Sequence, residues 1–180
     1  MTWTTLKSEY LIKRPWLTAR KDKVQLPNGN INEEYYVLEY PDWINVIAVT
    51  EDDMFVFIRQ YRYALGRTCY EIVAGVLNEG EKPEDGARRE LQEETGYSGG
   101  EWRELMQISA NPSTMTNTTH CFVAEGVNKT SGQKLDDTED IEVYLFSREE
   151  VLNLLKSGEL KQALMIAPLW QYLYSKIEGK

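Results

Sequence analysis

"GVLNEGEKPEDGARRELQEETGY", residues 75–97, contains one short helix and an electrostatic contradiction. Pro83 suits a first helical turn, where its missing N–H is not needed, and Gly96 stops the helix. Glu90, Glu93 and Glu94 fall at i, i+3 and i+4 in the last turn and a half. They share one face, and each like-charged pair costs roughly 0.2–0.5 kcal/mol. They also stand at the negative end of the helix dipole, which adds a penalty of similar size. Arg89, the only cation in the last two turns, cannot neutralise three acids. A Glu-rich helix face is ordinarily solvated surface, but acid gathered at this end calls for a divalent cation. Ligands that are all oxygen suit Mg²⁺ or Mn²⁺, hard ions that also bind substrate phosphates. No His or Cys lies nearby, so zinc is not expected.

Outward from this helix the chain alternates strands and turns. Upstream, "WINVIAVT" and "MFVFIRQY" are β-branched and aromatic runs separated by Glu51, Asp52 and Asp53, a hairpin pattern. "TCYEIVAG" reads as one further strand ending at Gly75, followed by a loop from Val76 to Glu81. Nearer the N-terminus, "KVQLPNGNINEEYYVLEY" reads as two strands about Pro27-Asn28-Gly29. Downstream, "EWRELMQIS", "THCFVAEG" and "IEVYLFS" are strands, then "REEVLNLLKSG" and "ALMIAPLWQYLYSKI" are helices. Pro168 should start the second helix late or kink it. Residues 1–42 are expected to form a small N-terminal β lobe, and 43–180 a mixed domain of sheet and helices. The one long loop, roughly 125–139, follows the three glutamates by some forty residues and could fold over them.

Composition narrows the function. A chain of 180 residues supports one domain with a good core. Its net charge of −9 argues against a nucleic-acid surface, which needs clustered Lys and Arg. Cys69 and Cys121 lie in apolar runs and are expected as buried free thiols. No stretch has the length of a membrane span or a signal peptide core, so a cytoplasmic protein is expected, with no membrane partner. The sole histidine, His120, is expected to be hydrogen-bonded and structural.

The spacing of the opening stretch is that of the Nudix box: Gly75, five residues, Glu81, seven residues, Arg89-Glu90, apolar Leu91, Gln92, Glu93-Glu94, Thr95, Gly96 and apolar Tyr97. The chain is identified as resembling the Nudix hydrolases. That resemblance implies an α+β fold, a mixed β-sheet sandwiched between helices with the box as loop–helix–loop. It also implies that Glu90 and Glu94 are the principal ligands of Mg²⁺ (or Mn²⁺), with Glu93 in support and the carbonyl of Ala74 as a further ligand. Arg89 would orient the acids by salt bridges, and Glu81 would brace the loop.

Outside the box the chain is similar to the ADP-ribose pyrophosphatase branch. "RQYRYALGRTCYEIVAGVLNEGE" matches the stretch that opens the box there, and Pro112 follows Tyr97 by fifteen positions, a mark of the branch. One departure matters: "NPSTMTNTTH" has no acid between Pro112 and His120, so that loop supplies no carboxylate. The resemblance then moves the general base to the later loop. Glu139 is the best match, Asp137 and Asp140 are alternatives, and a box glutamate is the fallback.

Substrate contacts carried over from the branch are Arg62 and its neighbour Arg59 for phosphate, and Glu71 in the strand entering the box. Arginine suits phosphate because its planar fork donates in pairs. In the N-terminal lobe Trp16, with Tyr35 or Tyr36, would stack on adenine in a homodimer with a shared active site. The activity implied is Mg²⁺-dependent hydrolysis of the pyrophosphate of ADP-ribose or a related nucleoside diphosphate sugar, giving a nucleoside monophosphate and a sugar phosphate. The alternatives are a GDP-sugar or dinucleotide substrate, or a ligand sensor without turnover, which the complete box and acidic charge disfavour.

Overall fold

The strand "WINVIAVT" became β4 (Trp43–Thr50), and its side chains alternate between two separate cores. In the computed structural model, which describes residues 1–178, Ile44, Val46 and Ala48 face one cluster while Ile47 and Val49 face the other. The same two-sided alternation runs through β5 (Phe55–Arg62) and β9 (Thr119–Lys129). A strand buried on both faces reads as a continuous apolar run and needs a covering layer on each side. On one face the layer is α1 (Pro83–Thr95), through Ala87 and Leu91. On the other it is α2 (Arg148–Ser157) and α3 (Ala163–Glu178), through Val151, Met165, Leu169, Tyr172 and Leu173.

With β8 (Tyr97–Ile108) and β10 (Ile141–Phe146), the sheet runs β10-β5-β4-β9-β8. It is mixed: β4 and β9 are parallel, and the other neighbours are antiparallel. β4 and β5 pair only at Ala48–Val56 and Val49–Phe55, then diverge. The gap is filled by "TCYEIVAG", which is two strands rather than the single one expected. β6 (Arg67–Glu71) pairs with β5 and β7 (Val73–Val76) pairs with β4, the chain changing partner at Ile72. The box therefore starts where the sheet splits.

Two other expectations are corrected. β9 extends to Lys129, so the long loop is residues 130–140. The last helix does not start late: it begins at Ala163, ahead of Pro168, which lies within it. Pro168 cannot donate to the carbonyl of Leu164 four residues earlier. The buried side chain of Asn45 does so instead, its Nδ2 donating to Leu164 O at 2.7 Å. α2 starts with a reciprocal cap, Ser147 accepting from the Glu150 N–H and Glu150 accepting from the Ser147 N–H.

The chain divides into two units, residues 1–41 with 109–118, and residues 42–108 with 119–178 of the described chain. The first unit thus includes 109–118, which the linear reading had assigned to the larger domain. Its three antiparallel strands are β1 (Thr4–Arg14), β2 (Leu17–Gln25) and β3 (Ile31–Glu39). β1 was not expected as a strand: all of its residues are exposed, so no burial pattern marks it in the sequence. Segment 109–118 is held to β3 by Leu38 N–H to Thr114 O at 2.7 Å and Thr116 N–H to Leu38 O at 3.1 Å.

Candidate active site

α1 presents Glu90 and Glu94 where the split sheet meets it, and a missing side chain makes the approach possible. A Cβ on Gly75 would lie 2.1 Å from Glu90 Cδ, so only glycine lets that carboxylate sit against β7. At the other end Gly96 has φ +76°, and its N–H donates to Gln92 O at 2.9 Å, closing the helix as expected.

Arg89 uses its whole fork. Nε and Nη2 donate to Glu81 Oε1 and Oε2, both at 2.9 Å, and Nη2 also reaches Val76 O at 3.2 Å. Nη1 donates to Glu90 at 2.7 Å and Glu93 at 3.0 Å. The Arg89 fork pulls the Glu81 carboxyl down to about 2, outweighing burial. Glu81 also accepts from the Asn78 N–H at 3.0 Å, so it braces the loop before the helix.

Glu94 is different. It is 4% exposed, and its Oε2 has no hydrogen-bond partner. Burial, then the negative charges of Glu90 and Glu139, push its pKa up to about 9. The backbone of Ala74 and the charge of Arg62 draw its pKa down, against these larger opposing effects. Burial also raises Glu90, against the pull of Arg89. A buried carboxyl with an orphaned oxygen is costly unless something positive meets it.

The loop acid felt at both Glu90 and Glu94 is Glu139. Glu139 forms a reciprocal turn with Asp136: its N–H donates to Asp136 O, and its Oε2 accepts from Asp136 N–H, both at 2.9 Å. Arg62 also acts on Glu94. It grips the buried Glu71 with Nε at 2.9 Å and Nη2 at 2.5 Å, and Gln60 adds Nε2 at 3.3 Å. Arg59 is turned elsewhere, to Glu142 at 3.2 Å and over the ring of Tyr70.

Among the described residues no three His, Cys, Asp or Glu side chains are already converged as a metal cage. Arg89 is paired with Glu90 and Glu93, and the Glu93 side chain is 42% exposed. The donor set nevertheless fits a hard divalent cation. Every donor is oxygen, and the orphaned Glu94 oxygen is the strongest single indication. Nudix hydrolases generally use divalent metal ions.

In the first unit, Trp16 is 79% exposed in the β1–β2 turn. Tyr36 is 51% exposed, with its hydroxyl on Glu34. Tyr35 is spent internally: its hydroxyl donates to Ser113 O, and its ring meets Trp3 edge-on. His120 has the structural setting expected, Nδ1 lying 3.0 Å from Glu104 Oε1. Cys69 and Cys121 are buried free thiols, and burial pushes the Cys121 thiol up to about 12. No helix among the described residues is long and apolar enough to cross a membrane.

The sequence reading missed Gln60, Asn45 and Gln133. Gln133 Nε2 donates to Glu94 O at 2.7 Å and Ile141 O at 3.0 Å. Nothing in the local pattern distinguishes it from a surface glutamine, since its partners are backbone atoms of distant elements.

A sheet that splits just before the box glycine, a short helix ending in clustered acids and an arginine paired with them are the features of a Nudix site, and the chain belongs to the Nudix family. The NUDIX domain model matches residues 40–167, and the nucleoside diphosphate sugar hydrolase N-terminal domain model matches residues 3–38. The chain is similar to the ADP-ribose pyrophosphatase of Bacillus subtilis, with 32% identity over 96% of this chain and 92% of that one. It is also similar to the methanol dehydrogenase activator of Bacillus methanolicus, with 31% identity over 94% and 91% of the two chains. A solved structure of an ADP compounds hydrolase superposes with a TM-score of 0.86 over 99% of this chain and 96% of that one. Its identity is 20%, and the likeness is one of fold. The protein is a Nudix hydrolase.

Proposed function

We propose that the chain hydrolyses the pyrophosphate of ADP-ribose or a related nucleoside diphosphate sugar, with Mg²⁺ as the metal. The products are AMP, or the corresponding nucleoside monophosphate, and a sugar phosphate. The observation that carries the reading is the grouping of Glu94, Glu90 and Glu139 beside Arg62 within a complete box. The match of residues 3–38 to an N-terminal domain of nucleoside diphosphate sugar hydrolases supports the substrate class.

Glu90, Glu94 and the Ala74 carbonyl would hold the metal, and Glu93 would join once released from Arg89. When bound, the metal polarises phosphoryl oxygens and lowers the pKa of the attacking water. Glu139 takes that water's proton as a new P–O bond forms. The bridging P–O bond breaks, and its electron pair leaves on the departing phosphate. Arg62, held in orientation by Glu71, meets non-bridging oxygens with paired donors. Arg59, on β5 between β10 and β6 with a 40% exposed side chain, is a secondary phosphate contact.

Residues 1–42 serve dimerisation and substrate binding, and 43–180 the chemistry. Large apolar side chains exposed on the first unit, among them Leu6, Tyr10, Leu11 and Trp16, are proposed as the surface of a cytoplasmic homodimer. Trp16 and Tyr36 (or Tyr35, if freed from Ser113) would stack on the purine in a site shared by two copies. A GDP-sugar is the second reading, because the loop after Pro112 lacks an acid.

The test is phosphate release by a coupled phosphatase from a panel containing ADP-ribose, ADP-sugars and GDP-sugars, with Mg²⁺ or Mn²⁺. Turnover of ADP-ribose above the GDP-sugars supports the reading. Turnover of none of them overturns it.

A further inference from the structure

Residues 130–140 are hydrogen-bonded along the C-terminal end of α1. The N–H of Lys134 donates to Glu93 O at 2.8 Å, and those of Thr130 and Ser131 donate to Gly96 O at 2.9 and 3.1 Å. The last carbonyls of a helix have no intrahelical donors, so this loop supplies them. These backbone bonds fix only the entering limb of the loop. Gln133 alone among these bonds reaches the departing limb, because its Nε2 serves both Glu94 O and Ile141 O. A carboxamide nitrogen carries two hydrogens, and both are used.

The result is a closed neck from residue 133 to residue 141. Glu139 lies inside it, two residues before its end, and its carboxylate is oriented by the turn with Asp136. The same nitrogen is bonded to the backbone of Glu94. One side chain therefore ties together the residue read as principal metal ligand and the segment that carries the base.

We propose that Gln133 is a positioning residue that sets Glu139 against Glu90 and Glu94. This rests on the reading of Glu139 as general base. Misplacement of a reacting group by about 1 Å can cost on the order of a hundredfold in rate. Gln133→Ala removes both bonds, and Gln133→Glu replaces the donor by an acceptor facing two carbonyls.

Two measurements test it. The first is amide hydrogen exchange on the metal-free protein, where Gln133→Ala should speed exchange across residues 134–140 and leave residues 87–92 of α1 unchanged. The second is a double-mutant cycle. Gln133→Ala alone should lower kcat by about 10- to 100-fold, with KM within about twofold. In the Glu139→Gln background the same change should cost less than about threefold, because the group it positions is already lost. Unchanged loop exchange, or effects on kcat that multiply, overturn the proposal. Parental kcat in Glu139→Gln overturns it too. That outcome removes the base reading itself and is told apart because the exchange result does not depend on it.

Discussion

Arg89 and Glu81 form a two-pronged ion pair, with both N–O distances 2.9 Å, eight residues apart across the turn into α1. The free prong of Arg89 then arranges Glu90 and Glu93. The loop before the helix and the acids at its end are thus joined through one guanidinium.

The pair sets a pH dependence. The folded pKa of Glu81 is lowered from 4.5 to about 2, so its stabilisation is complete above pH 4.5 and is lost as pH falls through about 2. Glu81→Gln should lower unfolding free energy by about 2 kcal/mol at neutral pH, the scale of charged hydrogen bonds. Urea unfolding of parent and variant should converge toward pH 2. A difference that stays constant down to that pH removes Glu81 as the cause.

Glu94→Gln should lose at least about a hundredfold in kcat, on the order of 3 kcal/mol, with the fold retained. The buried Oε2 makes no hydrogen bond, so replacing the carboxyl by an amide breaks none there, and with its pKa pushed up to about 9 the metal-free carboxyl is already neutral at pH 7, so the swap changes no charge. The metal-free variant should melt no lower than the parent. Full turnover by this variant is the result that rejects the metal-site assignment.

Asn45 is expected to matter only because of Pro168. Asn45→Ala should destabilise by about 1–3 kcal/mol, leaving the buried Leu164 carbonyl without a donor. Pro168→Ala restores a backbone N–H at the required position, so the cost of Asn45→Ala should shrink in that background. Equal costs in both backgrounds in chemical denaturation would show that the two residues are uncoupled.

Trp16→Ala should raise KM by about tenfold, within the roughly 1–3 kcal/mol of a base–aromatic contact. It should leave kcat nearly unchanged, because stacking is similar in ground and transition states. Sedimentation of the active parent should give a dimer. A fully active monomer rejects the shared site.

Local chemistry made much of this protein legible in the sequence. Pro83, Gly96 and the spacing of Glu81, Arg89, Glu90, Glu93 and Glu94 specify a helix and its burden of acid, because caps, dipole and i,i+4 neighbours act within a few residues. The two-sided strands were legible for the same reason, their apolar runs being continuous.

What stayed hidden depends on which elements meet. The break at Ile72 arises because β4 and β5 diverge and leave two different edges to pair with. β1 shows no burial pattern because none of its residues is buried. Helix α3 runs through Pro168 because Asn45, 119 residues from Leu164, supplies the missing donor. Gln133 was invisible because it recognises backbone carbonyls, which carry no residue identity. Residue order alone specified the acids and their helix. Folding alone brings Glu139 near enough for its charge to be felt at Glu90 and Glu94, because the direction of a carboxylate in a turn is set by what closes that turn.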